Sequence, residues 1–237
     1  MIEENIVIEE IEQVEEAVSE SKIRFGAAAW SKTKYDILVL GAGGIGSWVG
    51  LCLARIGHSL IIFDNDSYET VNMAGQFVSN DSIGLPKATS LVNELKRFTD
   101  EGKYYGVDLK YDSKSKTLPI VFSCFDNMEA RSIAFNLWRQ QEDRLLFIDG
   151  RLTAESYQVF VCCKGNEAFY EKTLFPDEEA AELPCSYKAT THTAMMIAAE
   201  MVNCMNQYLS YGDCPNSISY ELISFNHQIN EDVSSWQ

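Results

Sequence analysis

A glycine-rich loop at residues 41–46 is the first feature of the sequence that could bind a phosphate. Its sequence is GAGGIG, and it falls between an apolar run and a helical pattern, with its glycines at Gly41, Gly43, Gly44 and Gly46. Glycine lets the backbone approach a phosphate closely, and a helix N-terminus favours negative charge. The loop alone fits either an NAD-type dinucleotide or an ATP-type mononucleotide.

An acidic residue, Asp64, strengthens the case for a nucleotide. It lies 18 residues after Gly46, at the end of a second apolar run. An acidic side chain at this place can accept hydrogen bonds from ribose hydroxyls, and a purely structural role is the alternative. The polar run at 64–76 that follows is unlike the helix to which NAD-dependent enzymes usually return.

A lysine and an Asp-Asn pair add further candidates. Lys87 would begin a helix, where its charge opposes the macrodipole unless it pairs with a bound phosphate; an ordinary solvated lysine is the alternative. Asp126 and Asn127 follow another strand, at the edge where open α/β sheets bind ligands. A carboxylate there could hold Mg²⁺ through oxygen, with phosphates and water completing the octahedron. Alternatively, Asp126 caps the next helix.

Positioning these residues requires a parallel sheet. Strands predicted at 35–40 and 59–63, joined by a helix at 45–56, form a βαβ unit. Further elements follow from the same patterns: strands at 103–109, 118–123, 145–149, 157–162 and 217–225, helices at 86–98 and 189–208, and a polar, loop-like stretch at 164–184. The predicted fold is α/β and Rossmann-like, with a mainly parallel sheet flanked by helices and a mixed C-terminal half. Residues 1–30 form an acidic N-terminal helical segment, and 31–237 form a single domain with a crossover loop at about 164–188.

Composition excludes several classes of partner. The net charge of −16 argues against nucleic acid and anionic membranes, and no apolar run approaches the ~20 residues of a membrane span. The seven cysteines form no C-x-x-C pair, which predicts reduced thiols, a cytoplasmic location and no structural zinc. The eight glutamates within residues 1–20 fit either a solvated acidic helix or an arm for a partner or a dimer.

Five segments together resemble the ThiF/MoeB family, the adenylating fold shared with ubiquitin-activating enzymes. They are GAGGIG at 41–46, DND at 64–66, VNMAGQ at 71–76, GLPKA at 84–88 and CFDNMEAR at 124–131. The resemblance implies ATP and Mg²⁺, and commonly a homodimer. It also implies a protein substrate, a small ubiquitin-like or sulfur-carrier protein usually ending in Gly-Gly, whose C-terminal carboxylate becomes an acyl-adenylate.

The resemblance also assigns roles to individual residues. These are ribose binding by Asp64, phosphate binding by Asn72 and Lys87, metal binding by Asp126, and support from Asp66 and Gln76. One departure concerns Gly75, which stands where many members have a phosphate-binding arginine in N-L-x-R-Q. Arg24 is the candidate replacement, since the family also uses an arginine upstream of the glycine loop, often across the dimer; a surface arginine is the alternative.

A second chemical step is predicted at Cys185. Its position just before the long helix resembles that of the catalytic cysteine in ubiquitin-activating enzymes. A helix N-terminus and the nearby Lys188 would favour the thiolate, which could take the acyl group as a thioester; packing of the helix start is the alternative. A conjugating enzyme is then a possible partner. Sulfur-carrier activation, a non-catalytic scaffold and an NAD(P)-dependent oxidoreductase are the competing functions.

Overall fold

The computed structural model of the protein describes residues 26–99, 101–153, 155–176 and 190–230. The chain divides into two units, residues 1–34 and 35–237. The described part of the first unit contains one short 3₁₀ helix, Ala29–Ser31. Most of the predicted acidic helical segment, up to residue 25, lies outside the described residues.

An eight-stranded sheet is the centre of the second unit. Its strands are β1 (Asp36–Leu40), β2 (Ser59–Phe63), β3 (Tyr104–Val107), β4 (Ile120–Ser123), β5 (Leu146–Leu152), β6 (Ser156–Cys163), β7 (Ser217–Glu221) and β8 (Asn226–Asn230). Their order in the sheet is β3-β2-β1-β4-β5-β6-β7-β8. The pairs among β1–β5 are parallel and those from β5 to β8 are antiparallel. This confirms the predicted fold class, including the mixed C-terminal half.

Five α-helices of the described residues pack against this sheet. They are α1 (Gly44–Ile56), α2 (Lys87–Leu95), α3 (Met128–Arg139), α4 (Glu167–Lys172) and α5 (Thr191–Tyr211). Helices α1, α2 and α5 share one core, and α3 and α4 share the core on the opposite face. In β1, Ile37 and Val39 face the first core while Leu38 and Leu40 face the second, as the alternation of a strand requires. No described helix is both long and apolar enough to cross a membrane.

The long helix α5 near the C-terminus has the apolar stripe that the sequence predicts. Ile197, Met201 and Met205 of α5 are fully buried, and Val202 is nearly so. These positions recur at spacings of three and four, so they lie on one helix face and pack against α1 and the sheet.

Two predictions in the C-terminal half were wrong. The stretch at 164–184 is not only a loop, because it contains α4, which buries Phe169 and Tyr170 against the sheet. The single last strand predicted at 217–225 is instead a hairpin, in which β7 ends at Glu221 and β8 follows. Both elements are short, and β8 is mostly exposed, so neither has the periodicity from which it could be predicted.

Candidate active site

The glycine loop carries the chain from β1 into α1, and its glycines have different functions. Gly41 has a φ of 96°, and a Cβ on it would lie 2.8 Å from the carbonyl oxygen of Cys124. A Cβ on Gly46 would lie 1.8 Å from the Gly41 carbonyl oxygen, whereas one on Gly43 would meet nothing within 4 Å. Gly41 and Gly46 are therefore needed for packing. Gly43, directly before Gly44 at the start of α1, leaves open space where a phosphate would approach the helix N-terminus.

Asp64 connects the end of β2 to the glycine loop. Its Oδ2 accepts a hydrogen bond from the Ala42 backbone N–H at 2.7 Å, and its Oδ1 accepts one from the Asp66 N–H at 2.8 Å. Burial raises the pKa of Asp64, while these hydrogen bonds and the charge of Lys87 act in the opposite direction. A carboxylate has acceptor sites beyond these two bonds, so Asp64 fits both the structural role and ribose binding.

Lys87 begins α2, as predicted, and is largely buried. Its Nζ lies 3.1 Å from Oδ2 of Asp66, and its backbone N–H donates to the Asp66 carbonyl oxygen at 2.8 Å. The lysine side chain is 10% exposed and the aspartate side chain is 62% exposed. Lys87 is therefore not an ordinary solvated lysine. Asp66 balances its charge.

A 3₁₀ turn at Thr70–Ala74 contains the next predicted residues. Asn72 Oδ1 accepts a hydrogen bond from the Glu69 N–H at 2.8 Å, which forms one half of a capping box at the start of the turn. The buried Oε1 of Gln76 has no hydrogen-bond partner among the described residues. A buried acceptor of this kind needs a partner, and a bound ligand or water could supply it.

Two helices hold the end of this turn. Trp48 Nε1 of α1 donates to the Gly75 carbonyl oxygen at 3.0 Å, and Thr191 Oγ1 of α5 donates to the Ala74 carbonyl oxygen at 2.7 Å. The position of the family's arginine is thus occupied by a glycine whose backbone is anchored from α1. Neither Trp48 nor Thr191 was predictable as an anchoring residue, since both contacts join residues far apart in the chain.

Asp126 and Asn127 follow β4 and are both exposed. Asn127 Oδ1 accepts a hydrogen bond from the Ala130 N–H at 2.8 Å, so Asn127 is the N-cap of α3. The alternative in which Asp126 caps this helix was therefore wrong. The Asn127 amide donates to Asp126 Oδ1 at 3.2 Å and steadies that carboxylate.

These residues meet at one edge of the sheet. The glycine loop, Asp64 and Asp126 follow the C-terminal ends of three neighbouring parallel strands, β1, β2 and β4. From β1 the chain proceeds to β2 on one side, while β4 lies on the other side. This is the topological switch point at which open α/β sheets bind their ligands.

The described residues at this edge of the sheet offer single carboxylates rather than a cluster of metal ligands. Among them, no group of three or more His, Cys, Asp or Glu side chains could hold a metal ion. Mg²⁺ in nucleotide sites needs only one or two carboxylates, because phosphates and water complete its coordination. The exposed carboxylate of Asp126 meets that requirement.

The two predicted catalytic residues Arg24 and Cys185 lie outside the described residues, as does Lys188, and their roles stay predictions. Other cysteines are described and agree with packing roles. Cys124 and Cys162 are buried, and burial raises the pKa of both thiols, so neither favours a nucleophilic thiolate.

The fold and the position of the glycine loop together define a protein of the Rossmann-like α/β class. More particularly, the chain belongs to the ThiF family, whose model matches residues 25–232. This confirms the resemblance that the five sequence segments indicated.

Curated relatives resemble part of the chain. The ubiquitin-like modifier-activating enzyme 5 of Oryza sativa subsp. japonica is 27% identical over 118 residues, which are 42% of this chain and 28% of the relative. The protein of that name from Culex quinquefasciatus is 33% identical over 114 residues, 40% of this chain and 29% of the relative. The matched region thus spans less than a third of the length of these relatives.

Solved structures resemble most of the chain in fold. Escherichia coli MccB, solved with ATP, has a TM-score of 0.65 at 16% identity, covering 85% of this chain and 64% of MccB. PaaA has a TM-score of 0.66 at 12% identity, covering 86% of this chain and 65% of PaaA. At these identities the likeness establishes the fold.

Proposed function

We propose that this protein is an adenylyltransferase that uses ATP and Mg²⁺ to activate the C-terminal carboxylate of a small ubiquitin-like protein. The observation that carries the proposal is the grouping of three features at one sheet edge. These are the open helix N-terminus beside Gly43, the buried cation Lys87 at the start of α2, and the exposed carboxylate of Asp126. A triphosphate with its metal needs these groups, whereas the glycine loop alone would suffice for the pyrophosphate of NAD.

The reaction needs charge neutralisation more than proton transfer. A C-terminal carboxylate has a pKa of about 3.5 and is ionised at neutral pH, so it can attack the α-phosphate without a general base. The attacking oxygen takes the place of the pyrophosphate group at phosphorus, and pyrophosphate leaves. Bound Mg²⁺ would neutralise charge on the phosphates. The positively polarised N-terminus of α1 and the Lys87 ammonium group provide fixed positive charge for the same purpose.

Lys87 can exchange its partner when nucleotide binds. Its partner Asp66 is 62% exposed, so water screens part of the attraction between the two charges. A triphosphate carries more negative charge than one carboxylate, so it can compete with Asp66 for the ammonium group. Asp66 thus orients the buried lysine until a phosphate replaces it.

The comparisons support this choice of substrates. The curated relatives are ubiquitin-like modifier-activating enzymes, and MccB has been solved both with ATP and with AMPCPP and MccA. They support ATP as the nucleotide and a small protein as the carboxylate substrate, and the resemblance of the sequence segments adds the Gly-Gly end to our proposal. Asn72 and Gln76 would contact the phosphates or their water, and Asp64 the ribose.

Further parts of the proposal extend to residues outside the described ranges. Cys185 would take the acyl group from AMP as a thioester and pass it to a conjugating enzyme. Arg24 of a second copy in a homodimer would supply the positive charge that Gly75 lacks. A cytoplasmic location accords with the seven cysteines and the absence of C-x-x-C pairs.

Pyrophosphate exchange tests the proposal. The wild-type protein, given ATP, Mg²⁺ and a small Gly-Gly-ending protein encoded by a neighbouring gene, should exchange labelled pyrophosphate into ATP. The Asp126→Ala variant should lose that exchange, while Cys185→Ser should keep it and lose only a thiol-labile protein adduct. Binding of NAD without binding of ATP would refute the proposal.

One observation favours a second candidate, a nucleotide-binding scaffold without catalysis. Gly75 removes the phosphate-binding arginine of related proteins, and its backbone is committed to a structural contact with Trp48. The scaffold would bind ATP but show no exchange with a partner whose binding has been demonstrated. A sulfur-carrier substrate instead of a ubiquitin-like one would give exchange without transfer to Cys185.

A further inference from the structure

A buried ionic cluster lies directly behind the loop that carries Asp126. Arg131 of α3 forms an ion pair with Asp149 of β5, and Asp149 is also paired with Arg151, whose Nε lies 2.9 Å from its Oδ2. The Asp149 side chain is fully buried, while the arginine side chains are 5% and 13% exposed. We name these three residues the Arg131–Asp149–Arg151 bridge.

One end of the bridge holds the backbone next to the proposed metal residue. The Arg131 guanidinium donates to the carbonyl oxygen of Phe125 and, at 3.0 Å, to that of Gly150. Phe125 directly precedes Asp126. Rotation of the Phe125 peptide, which would redirect the Asp126 carboxylate, therefore requires breaking a hydrogen bond from a buried cation.

The other end of the bridge holds the end of α4. Arg151 donates to the carbonyl oxygen of Thr173 at 2.8 Å and to its hydroxyl oxygen at 2.9 Å. The hydroxyl group in turn donates to the carbonyl oxygen of Tyr170 at 2.8 Å. A continuous set of hydrogen bonds thus joins the loop before Asp126 to the C-terminal end of α4.

The charge of the bridge is unbalanced. It combines two guanidinium groups with one carboxylate. Burial, followed by the Asp149 charge, raises the pKa of Tyr170 well above its usual value, so this neighbouring phenol stays neutral. Burying ions is costly, and a buried ion pair by itself is weak evidence for a role in stability. A cluster of this kind beside the ligand edge of the sheet calls for a functional explanation.

We propose that Arg131 and Arg151 are positioning residues for the metal-binding step, and that the Arg131–Asp149–Arg151 bridge fixes the Asp126 carboxylate for Mg²⁺ relative to α4. The inference rests on the proposed function, because it takes Asp126 as the magnesium ligand. Outer partners that hold a metal ligand in place typically change metal affinity about 10- to 100-fold when they are removed.

The test measures metal binding rather than turnover. Mn²⁺ is titrated into the full chain saturated with AMPCPP, and free Mn²⁺ is followed by electron paramagnetic resonance. Arg131→Lys keeps the charge but cannot reach Asp149, Phe125 and Gly150 together, so the Mn²⁺ dissociation constant should rise about 10-fold or more. Affinity for AMPCPP without metal should stay within about threefold of the wild type, which separates positioning from general loss of the site.

A surface ion pair provides the matched control. Arg139 of α3 and Glu171 of α4 join the same two helices through exposed side chains, with Arg139 Nη1 2.8 Å from Glu171 Oε1. Arg139→Lys should leave Mn²⁺ binding within about twofold of the wild type, since exposed pairs contribute little. Equal losses in Arg139→Lys and Arg131→Lys would attribute the effect to helix packing and overturn the proposal.

A milder pair of variants covers the case in which Arg131→Lys does not fold. Thr173→Val removes the hydroxyl group that Arg151 contacts, and Thr173→Ser keeps it. Weaker Mn²⁺ binding in Thr173→Val, with Thr173→Ser like the wild type, supports the bridge; equal binding in all three proteins overturns it.

Failure of the proposed function gives a different result. If Asp126→Ala binds Mn²⁺–AMPCPP as tightly as the wild type, Asp126 is not the metal ligand, and the proposed function loses its metal site. If Asp126→Ala binds Mn²⁺ more weakly, and Arg131→Lys folds and binds Mn²⁺ like the wild type, only the positioning proposal is wrong.

Discussion

Replacing Gly46 with alanine should disrupt the fold, while the same change at Gly43 should disrupt only ligand binding. A Cβ on Gly46 would lie 1.8 Å from the Gly41 carbonyl oxygen, whereas a carbon and a carbonyl oxygen need about 3.3 Å. The loop or α1 must therefore move by about 1.5 Å. Overpacking of this severity should lower the free energy of unfolding by about 3 kcal/mol, the upper end of the usual range. For a chain of this size, that loss lowers the midpoint of thermal unfolding by roughly 6–12 °C.

Gly43 offers the opposite case. A Cβ there would meet nothing within 4 Å, and the glycine's φ of −79° is negative, although its ψ of −147° lies just beyond the region that alanine prefers. Stability should therefore change by no more than about 1 kcal/mol, because the lower freedom of the unfolded chain offsets the small backbone strain. The methyl group would, however, take the space proposed for a phosphate. A steric cost of about 1–3 kcal/mol corresponds to a fall in ATP affinity of about 5- to 150-fold.

Thermal unfolding and calorimetric ATP titration on both variants decide the matter. We expect a lowered thermal unfolding midpoint for Gly46→Ala. For Gly43→Ala we expect a normal midpoint and weak ATP binding. ATP binding by Gly43→Ala at the wild-type affinity would show that the open space beside α1 is not the phosphate site. A normal midpoint for Gly46→Ala would show that the loop is not packed as described.

Three other perturbations test separate contacts. Lys87→Gln should weaken ATP binding by roughly 10- to 100-fold, because a charged hydrogen bond is lost. The control variant Lys96→Gln, at the exposed end of α2, should bind ATP like the wild type in the same calorimetric titration. Trp48→Phe keeps the ring contact with Phe77 but loses the bond to the Gly75 carbonyl oxygen, so urea unfolding should show a loss of about 0.5–1.5 kcal/mol; no loss would mean that water replaces the indole. The raised pKa of Asp64 means that the folded state holds this proton more tightly than the unfolded state. The resulting stabilisation is present below about pH 3.8 and is lost as pH rises through the folded-state pKa. Urea unfolding at several pH values should therefore show wild type gaining stability relative to Asp64→Asn as pH falls from neutral, and the opposite slope would contradict the burial of this carboxylate.

The parallel half of the sheet was largely predictable from the sequence. Its strands are apolar runs, and β2 begins and ends at the predicted residues, 59 and 63. Helix α4 was missed because it is only six residues long and buries two aromatic side chains, within a stretch that is otherwise polar. Strand β8 was missed because most of its side chains are exposed, so the alternation that identifies a half-buried strand is missing.

The site could be predicted from the sequence where the role of a residue depends only on its position in one helix or strand. Lys87 at the start of α2 is an example. Contacts between distant segments were not predictable, such as the pairing of Lys87 with Asp66 and the bond from Thr191 to Ala74. The sequence did contain one neglected indication, since Asp149 is an ionisable residue inside the apolar run of β5, and buried charges need partners.

The contact between Gly41 and Cys124 has a consequence for synthesis of the chain on the ribosome. The glycine loop is translated early, yet the backbone on which it packs is made about 80 residues later, and domains fold as units once their parts have emerged. Until β4 is available to pair with β1, the loop lacks that support. Within the first βαβ unit the loop already has two hydrogen bonds of its own, from the Gly41 N–H to the Phe63 carbonyl oxygen and from the Ala42 N–H to the Asp64 carboxylate. On the nascent chain the loop is therefore held from the β2 side alone until β4 emerges and pairs with β1.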